Sequence, residues 1–252
     1  MIWGCCLSGF LLWRALAALF EADAGAGSGD GGGGGGGFWR GVPDEMPFYL
    51  LTGSTLLHAP WSIGFHLFRG MRPSVYNLWR RLDQIFIFQV SQLVTLATAW
   101  FVYESWWPVA LNLAAAVATA ALATKSTWAL KPGQRRPPGQ MVALISCIVL
   151  CYMWPLAFQA SRDLSARLPP QDPAAPRPPL SAAGCAAGAA LALGAGAAVY
   201  AAGLPERAFP GVFDVIGSSH QLMHVTLLAA HAFEYAFVLE MWARRRAERL
   251  GA

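Results

Sequence analysis

Long apolar stretches alternate with short polar or basic ones along this chain. Most of the apolar stretches have the ~20 residues that a helix needs to cross the hydrocarbon core of a bilayer. We predict spans at residues 2–20, 46–68, 82–103, 109–124, 141–160, 181–204 and 216–242. The pattern therefore predicts an all-α, polytopic membrane protein built as a bundle of seven transmembrane helices.

The first of these stretches has three interpretations. Residues 1–23 are apolar apart from a few polar positions such as Arg14. They are a first transmembrane helix, a signal-like segment that ends in small residues, or the product of an incorrect gene model. Residues 24–45 are dominated by glycine, which predicts a flexible linker. We expect the membrane bundle over residues 46–243 and a basic tail over 244–252. Removal of the first segment would leave six spans.

Composition supports the membrane class. The chain is 56% hydrophobic and only 13% charged, which is too apolar for an ordinary soluble domain. The formal net charge is +4, and the arginines lie in short predicted loops, so a nucleic-acid partner is not expected. Loops 69–81 and 125–140 carry four basic residues each, which places them in the cytoplasm. The basic run 244–246 is the one feature that disagrees with this orientation.

Two histidines are the candidate centre of the chemistry. His220 and His224 follow the capping residues Ser218 and Ser219 and lie four apart, on one face of a helix. Such a pair can bind one metal ion, but in a hydrophobic protein it more often packs in the core. A third ligand decides between the two interpretations.

His66 is the candidate third ligand. It lies one helical turn after Ser62, and Asp83 follows it by 17 residues. His66 ends its predicted span on the cytoplasmic side, and Asp83 begins the next one there. Four predicted spans separate Asp83 from His220, which returns His220 to the same side. The predicted topology therefore brings these residues to a similar membrane depth.

Short motifs around these residues resemble the progestin and adipoQ receptor family, which includes the adiponectin receptors and bacterial hemolysin III proteins. The matching motifs are Ser62-x-x-x-His66, Leu82-Asp83, Pro205-Glu206-Arg207-x-x-Pro210-Gly211-x-Phe213-Asp214 and Ser219-His220-Gln221-x-x-His224. The resemblance covers residues 50–240 and is specific, because rare polar residues recur at fixed spacing. It implies a seven-helix membrane fold with His66, His220 and His224 as zinc ligands, and no other cofactor.

Three imidazoles leave a tetrahedral zinc ion one open position for water. Bound zinc lowers the pKa of that water to around 7, which supports hydrolysis at neutral pH. Asp83 is the candidate general base, and Ser62 would orient a ligand or donate a hydrogen bond to a substrate carbonyl. A zinc ion that only ties two helices together is the structural alternative.

The resemblance implies either lipid-linked signalling or zinc-dependent hydrolysis of a sphingolipid amide such as ceramide. The residues alone do not decide whether the chain is an enzyme. The alternatives are a non-enzymatic receptor for an unknown extracellular ligand and a hemolysin III-like membrane protein in which zinc is structural. In each case the chain is an integral, multi-pass protein of the plasma membrane or an internal membrane, and its partners are membrane lipids.

The remaining polar residues are assigned structural roles. We expect His58 to be a buried or pore-lining histidine, and neither His58 nor His231 to bind metal. Glu234 and Glu240 are expected to pair within the bundle or to lie near its outer boundary. Glu206, with Arg207 and Asp214, is expected to tie down the turn before the last helix.

Overall fold

The computed structural model of the protein describes residues 43–134, 136–165, 181–213 and 216–250. These residues form six α-helices and no strand. The helices are α1 (Met46–Leu67), α2 (Pro73–Ala99), α3 (Trp106–Ala129), α4 (Pro138–Ser165), α5 (Ala182–Ala202) and α6 (Ser219–Leu250). The all-α class is confirmed, and the first predicted helix, at 2–20, lies outside the described residues.

Five of the described helices, α2 to α6, are long and apolar enough to cross a membrane. Helix α1 has the necessary length, 22 residues, but is not among these five. It carries two histidines together with several serines, threonines and glycines.

The chain divides into two compact units, Met1–Pro155 and Leu156–Ala252. In the first unit, α2 is the most buried helix: 78% of its most apolar stretch is buried, against 28% for α3. Small side chains on one face of α3 let α2 and α4 pack closely on it. The residues of this cluster are Phe88, Ala116, Ala120, Ala123, Leu144, Ile148 and Cys151.

Polar side chains inside this unit are paired with backbone groups. Thr98 Oγ1 donates a hydrogen bond of 3.1 Å to the carbonyl oxygen of Tyr152, and Asn112 Nδ2 donates one of 2.7 Å to the carbonyl oxygen of Cys151. A polar group without a partner is costly in lipid, so these bonds hold α4 at a defined position against α2 and α3.

Aromatic rings form the contact between α1 and α2. The Trp61 ring stacks on Phe86 at 4.6 Å and lies 6.1 Å from Trp79, while Phe68 lies 5.0 Å from Trp79. A Cβ added to Gly64 would lie 2.1 Å from a ring atom of Trp79. Glycine is therefore required at position 64 if the two helices are to approach this closely.

The predicted basic loops are shorter than expected. Helix α2 begins at Pro73, so Arg80 and Arg81 are helical, and Lys125 lies inside α3. The predicted boundary at residue 82 is therefore wrong. The apolar stretch begins at residue 82, but the helix begins nine residues earlier, at Pro73. The charged residues in this first part of α2 have partners at or just after the end of α3.

These partners are mainly carbonyl groups at the carboxyl end of α3. Arg81 donates to the carbonyl oxygen of Leu130 and lies over the Trp128 ring at 5.5 Å, and Arg136 donates to the carbonyl oxygen of Ala123 at 3.3 Å. Burial lowers the pKa of the Arg136 guanidinium below its ordinary value. The Arg81 guanidinium thus satisfies the carbonyl of Leu130, the residue that caps α3, and both guanidinium groups complement the dipole of this helix.

In the second unit, α5 and α6 approach closely at two glycines. A Cβ on Gly188 would lie 2.5 Å from the Phe233 ring, and one on Gly196 would lie 2.1 Å from Thr226 Oγ1. The glycines and alanines of α5 thus permit the close packing that is typical of membrane helices. Helix α6 continues to Leu250, past its predicted end at 242.

Candidate metal centre

Ser62 and His66 lie four residues apart near the carboxyl end of α1. His66 is in the last turn and is exposed, and its ring lies 5.3 Å from Phe65. The helix ends directly afterwards, where the Phe68 amide donates a hydrogen bond of 2.9 Å to the Gly64 carbonyl oxygen.

Asp83 lies well inside α2, ten residues after its first residue, and not at the start of a span as predicted. Its Oδ1 lies 3.4 Å from Nε2 of His58 on α1. His58 lies eight residues before His66, about two helical turns, so their spacing puts both on a similar face of α1, but it does not indicate this pairing. Only the packing of α1 on α2 brings His58 and Asp83 together.

The turn before α6 is tied to the first residue of that helix. The Glu206 carboxylate accepts a hydrogen bond of 2.7 Å from the Ser219 amide and a second one from the Ser219 hydroxyl. These hydrogen bonds hold the pKa of the Glu206 carboxyl below its usual value. The prediction that Glu206 anchors this turn is therefore confirmed, and Asp214 lies outside the described residues.

Glycines shape the same turn. Gly203 ends α5 with a φ of 62°, and Gly217 has a φ of 83° just before α6. Both values lie in the left-handed region that favours glycine. The Gly217 amide donates a hydrogen bond of 2.6 Å to Gln221 Oε1, so Gln221 of the family motif contributes to the start of α6.

His220 and His224 face each other on the first turns of α6. Their Nε2 atoms lie 3.2 Å apart, and their rings are 4.8 Å apart at 80°. Two nitrogens that each lie about 2.0–2.1 Å from one tetrahedral zinc are separated by about 3.3 Å. The pair therefore has the spacing that two ligands of one ion require. An N–H···N hydrogen bond between neutral imidazoles also fits this distance.

His66, His220 and His224 form a three-histidine group that could bind a metal ion, and it is the one such group within the described ranges. Three imidazole nitrogens suit zinc and other borderline metals, and they leave a fourth position open. His58 and His231 are not in the group. His231 Nδ1 instead lies 2.7 Å from Oε2 of Glu234, a buried residue, as expected for an acidic side chain that pairs within the bundle.

The helices define a multi-pass integral membrane protein. The family model described as "Haemolysin-III related" matches residues 6–235, and the chain belongs to that family. The motifs that resemble the adiponectin and progestin receptors thus identified the family from the sequence alone.

Relatives with assigned names match over a shorter stretch. The chain is 48% identical to an adiponectin receptor protein of Drosophila melanogaster over 46 residues, which are 18% of this chain and 10% of that protein. It is 56% identical over 45 residues to heptahelical transmembrane protein 4 of Arabidopsis thaliana, covering 18% of this chain and 11% of the relative. It is 53% identical over 47 residues to membrane progestin receptor gamma of Mus musculus, covering 18% and 14%. Each match spans a small part of the relative.

Proposed function

We propose that this protein binds one zinc ion through His66, His220 and His224 on the cytoplasmic side of the membrane and hydrolyses a sphingolipid amide such as ceramide. The three-histidine group carries the proposal. The 3.2 Å spacing of the His220 and His224 nitrogens supports it, because it matches two ligands of one tetrahedral ion. Ionisable groups are costly to place within membrane helices, so a functional role is their default interpretation.

Three imidazole ligands suit zinc and leave its fourth coordination position open for water or substrate. When bound, zinc would act as a Lewis acid and make water a better nucleophile at neutral pH. The Asp83 carboxylate would accept the proton that water loses, which is the general-base role. The Ser62 hydroxyl, one turn from His66, would donate a hydrogen bond to the amide carbonyl of the substrate. The turn held by Glu206 would fix the first residues of α6, and with them two of the three ligands.

Metal analysis of the purified protein tests the ligand set. We expect about one zinc per chain, since three imidazoles with one open position form a complete site. Replacing His66, His220 or His224 by alanine should each lower the zinc content sharply. His231→Ala is the matched control, because that imidazole pairs with Glu234 and lies outside the group. Equal zinc loss in the control would indicate general misfolding, and undiminished zinc in the three variants would refute the ligand assignment.

Asp83→Asn separates the proposed base from the ligands. The variant keeps all three imidazoles and should keep its zinc. Its turnover of ceramide, measured as released fatty acid, should fall by about 10²–10⁴-fold, the usual contribution of a positioned general base. Full zinc with unchanged turnover would remove Asp83 from the mechanism, and loss of zinc would make it a ligand or a residue that holds the fold.

A receptor function is the second candidate, favoured by the names of two relatives, an adiponectin receptor and a membrane progestin receptor. In that case zinc would be structural, and the protein would bind an extracellular ligand saturably without releasing fatty acid from any lipid. The family description suggests a third possibility, a membrane-active protein resembling hemolysin III. That function would produce leakage from vesicles that is unchanged when a chelator removes zinc.

A further inference from the structure

His58 is not part of the metal group and has no role in the function described above, but it lies beside Asp83, the proposed general base. His58 Nε2 lies 3.4 Å from Asp83 Oδ1, and 25% and 16% of the two side chains, respectively, are exposed. The Nε2 atom itself is buried, and within the described part of the chain it has no hydrogen-bond partner. A buried ring nitrogen without a partner costs free energy, unless a small side-chain rotation brings it to the carboxylate.

The helix contact around the pair fixes its geometry. Trp61 lies three residues after His58, and Phe86 lies three residues after Asp83, so each aromatic ring is on the same helix face as its polar neighbour. The two rings stack at 4.6 Å. Gly64 and Trp79 make a second close contact between the same helices. The register of α1 on α2 is therefore set independently of the polar pair, and it places the imidazole against the carboxylate.

From this geometry we propose that His58 is a positioning residue that donates a hydrogen bond from Nε2 to Asp83 Oδ1. Closing the gap from 3.4 Å to the usual 2.7–3.2 Å needs a shift of only a few tenths of an ångström. With Oδ1 held by His58, the carboxylate cannot rotate freely, and Oδ2 is the oxygen left to accept the proton of water. The proposal rests on the general-base role assigned to Asp83 above. His58 acts only through Asp83.

The competing explanation is that His58 simply fills space between α1 and α2. An imidazole in that role would be replaceable by any side chain of similar size, and its loss would affect stability without regard to Asp83. If His58 acts as a hydrogen-bond donor, it can be replaced only by a side chain whose donor atom lies at a similar distance from the backbone. Glutamine provides such a donor, because its amide nitrogen extends about as far from the backbone as histidine Nε2.

The test compares His58→Ala, His58→Gln, Asp83→Asn and the double variant His58→Ala/Asp83→Asn. We expect His58→Ala to keep its zinc and to lose about 10–100-fold in kcat for ceramide, as is typical when the hydrogen-bond partner of a functional group is removed. His58→Gln should recover most of that loss. On the Asp83→Asn background, His58→Ala should cause no further decrease. A kcat for His58→Gln no better than for His58→Ala, or an equal loss on both backgrounds, would overturn the proposal.

Thermal unfolding of the wild type, His58→Ala, Asp83→Ala and the double variant His58→Ala/Asp83→Ala tests the contact without turnover. Alanine is used at position 83 because asparagine would keep an oxygen that accepts a hydrogen bond from His58. The changes in melting temperature should be less than additive if the two side chains bind each other, because the second substitution then removes nothing that is still present. Additive changes would overturn the pairing. A wild type that releases no fatty acid would refute the hydrolase function, while the unfolding cycle would still decide whether His58 holds Asp83.

Discussion

Removing the Arg244 guanidinium should strongly destabilise the second unit. Arg244 donates from Nη1 and Nη2 to the two carboxylate oxygens of Asp163, both at 2.8 Å, and from Nε to Glu240 at 2.7 Å. Only 12% of the Asp163 side chain and 6% of the Glu240 side chain are exposed. Arg244→Met would therefore leave two largely buried carboxylates without their cation.

The magnitude follows from burial. Breaking a buried ion pair by removing one partner costs about 3–5 kcal/mol, because the remaining charge is left unpaired in a medium of low polarity. For a chain of this size, roughly 2–4 °C of melting temperature corresponds to each kcal/mol. The expected decrease is therefore about 6–20 °C. The melting temperature of Arg244→Lys should lie between those of the wild type and Arg244→Met, because lysine keeps the charge but not the two parallel hydrogen bonds.

Thermal unfolding in detergent, followed by tryptophan fluorescence, measures this difference. Arg246→Met is the matched control: Arg246 is exposed and lies over the Trp242 ring at 5.3 Å, a contact worth about 0.5–1 kcal/mol. Adding Asp163→Asn to Arg244→Met should recover part of the loss, since one unpaired charge disappears. If Arg244→Met melts at the same temperature as Arg246→Met, the ion pairs of Arg244 do not stabilise the fold as we expect.

Gly64→Ala should destabilise the fold by about 1–3 kcal/mol in a melting experiment, because its Cβ meets the Trp79 ring, whereas Gly53→Ala, with open space around it, should be neutral or stabilising. The pKa of Glu206 is lowered in the folded protein. Its contribution to stability is therefore present at a pH above about 4.3, the ordinary pKa of glutamate, and is lost as the pH falls through the lower pKa of the folded state. Glu206→Gln should abolish that dependence in melts from pH 6 to pH 3, and an unchanged pH profile would contradict this. A cysteine at Gly133 should be shielded from an impermeant reagent in intact cells, and one at Ala174 should react; the opposite labelling would reverse the orientation.

The sequence alone determined the helical membrane class, the family and the three candidate ligands. Apolar stretches of spanning length are a one-dimensional signal, because each helix satisfies its own backbone hydrogen bonds and needs only to be apolar to enter the bilayer. The ligand motif is also local: His220 and His224 share a face by spacing alone. The role of Glu206 in the turn before α6 could likewise be predicted, since its partner Ser219 lies nearby in the chain.

Only the tertiary structure decided which polar residues meet across helices. The pairing of His58 with Asp83 depends on the register of α1 against α2, which Gly64 and a set of aromatic rings determine together. The hydrogen bond from Arg244 to Asp163 joins residues 81 positions apart. It gives a carboxylate partner to one arginine of the basic run 244–246, which disagreed with the predicted orientation. Helix ends were also misjudged at Arg80 and Arg81. Hydropathy reports where the apolar surface begins, whereas α2 begins nine residues earlier, at Pro73, a residue type favoured in the first turn of a helix.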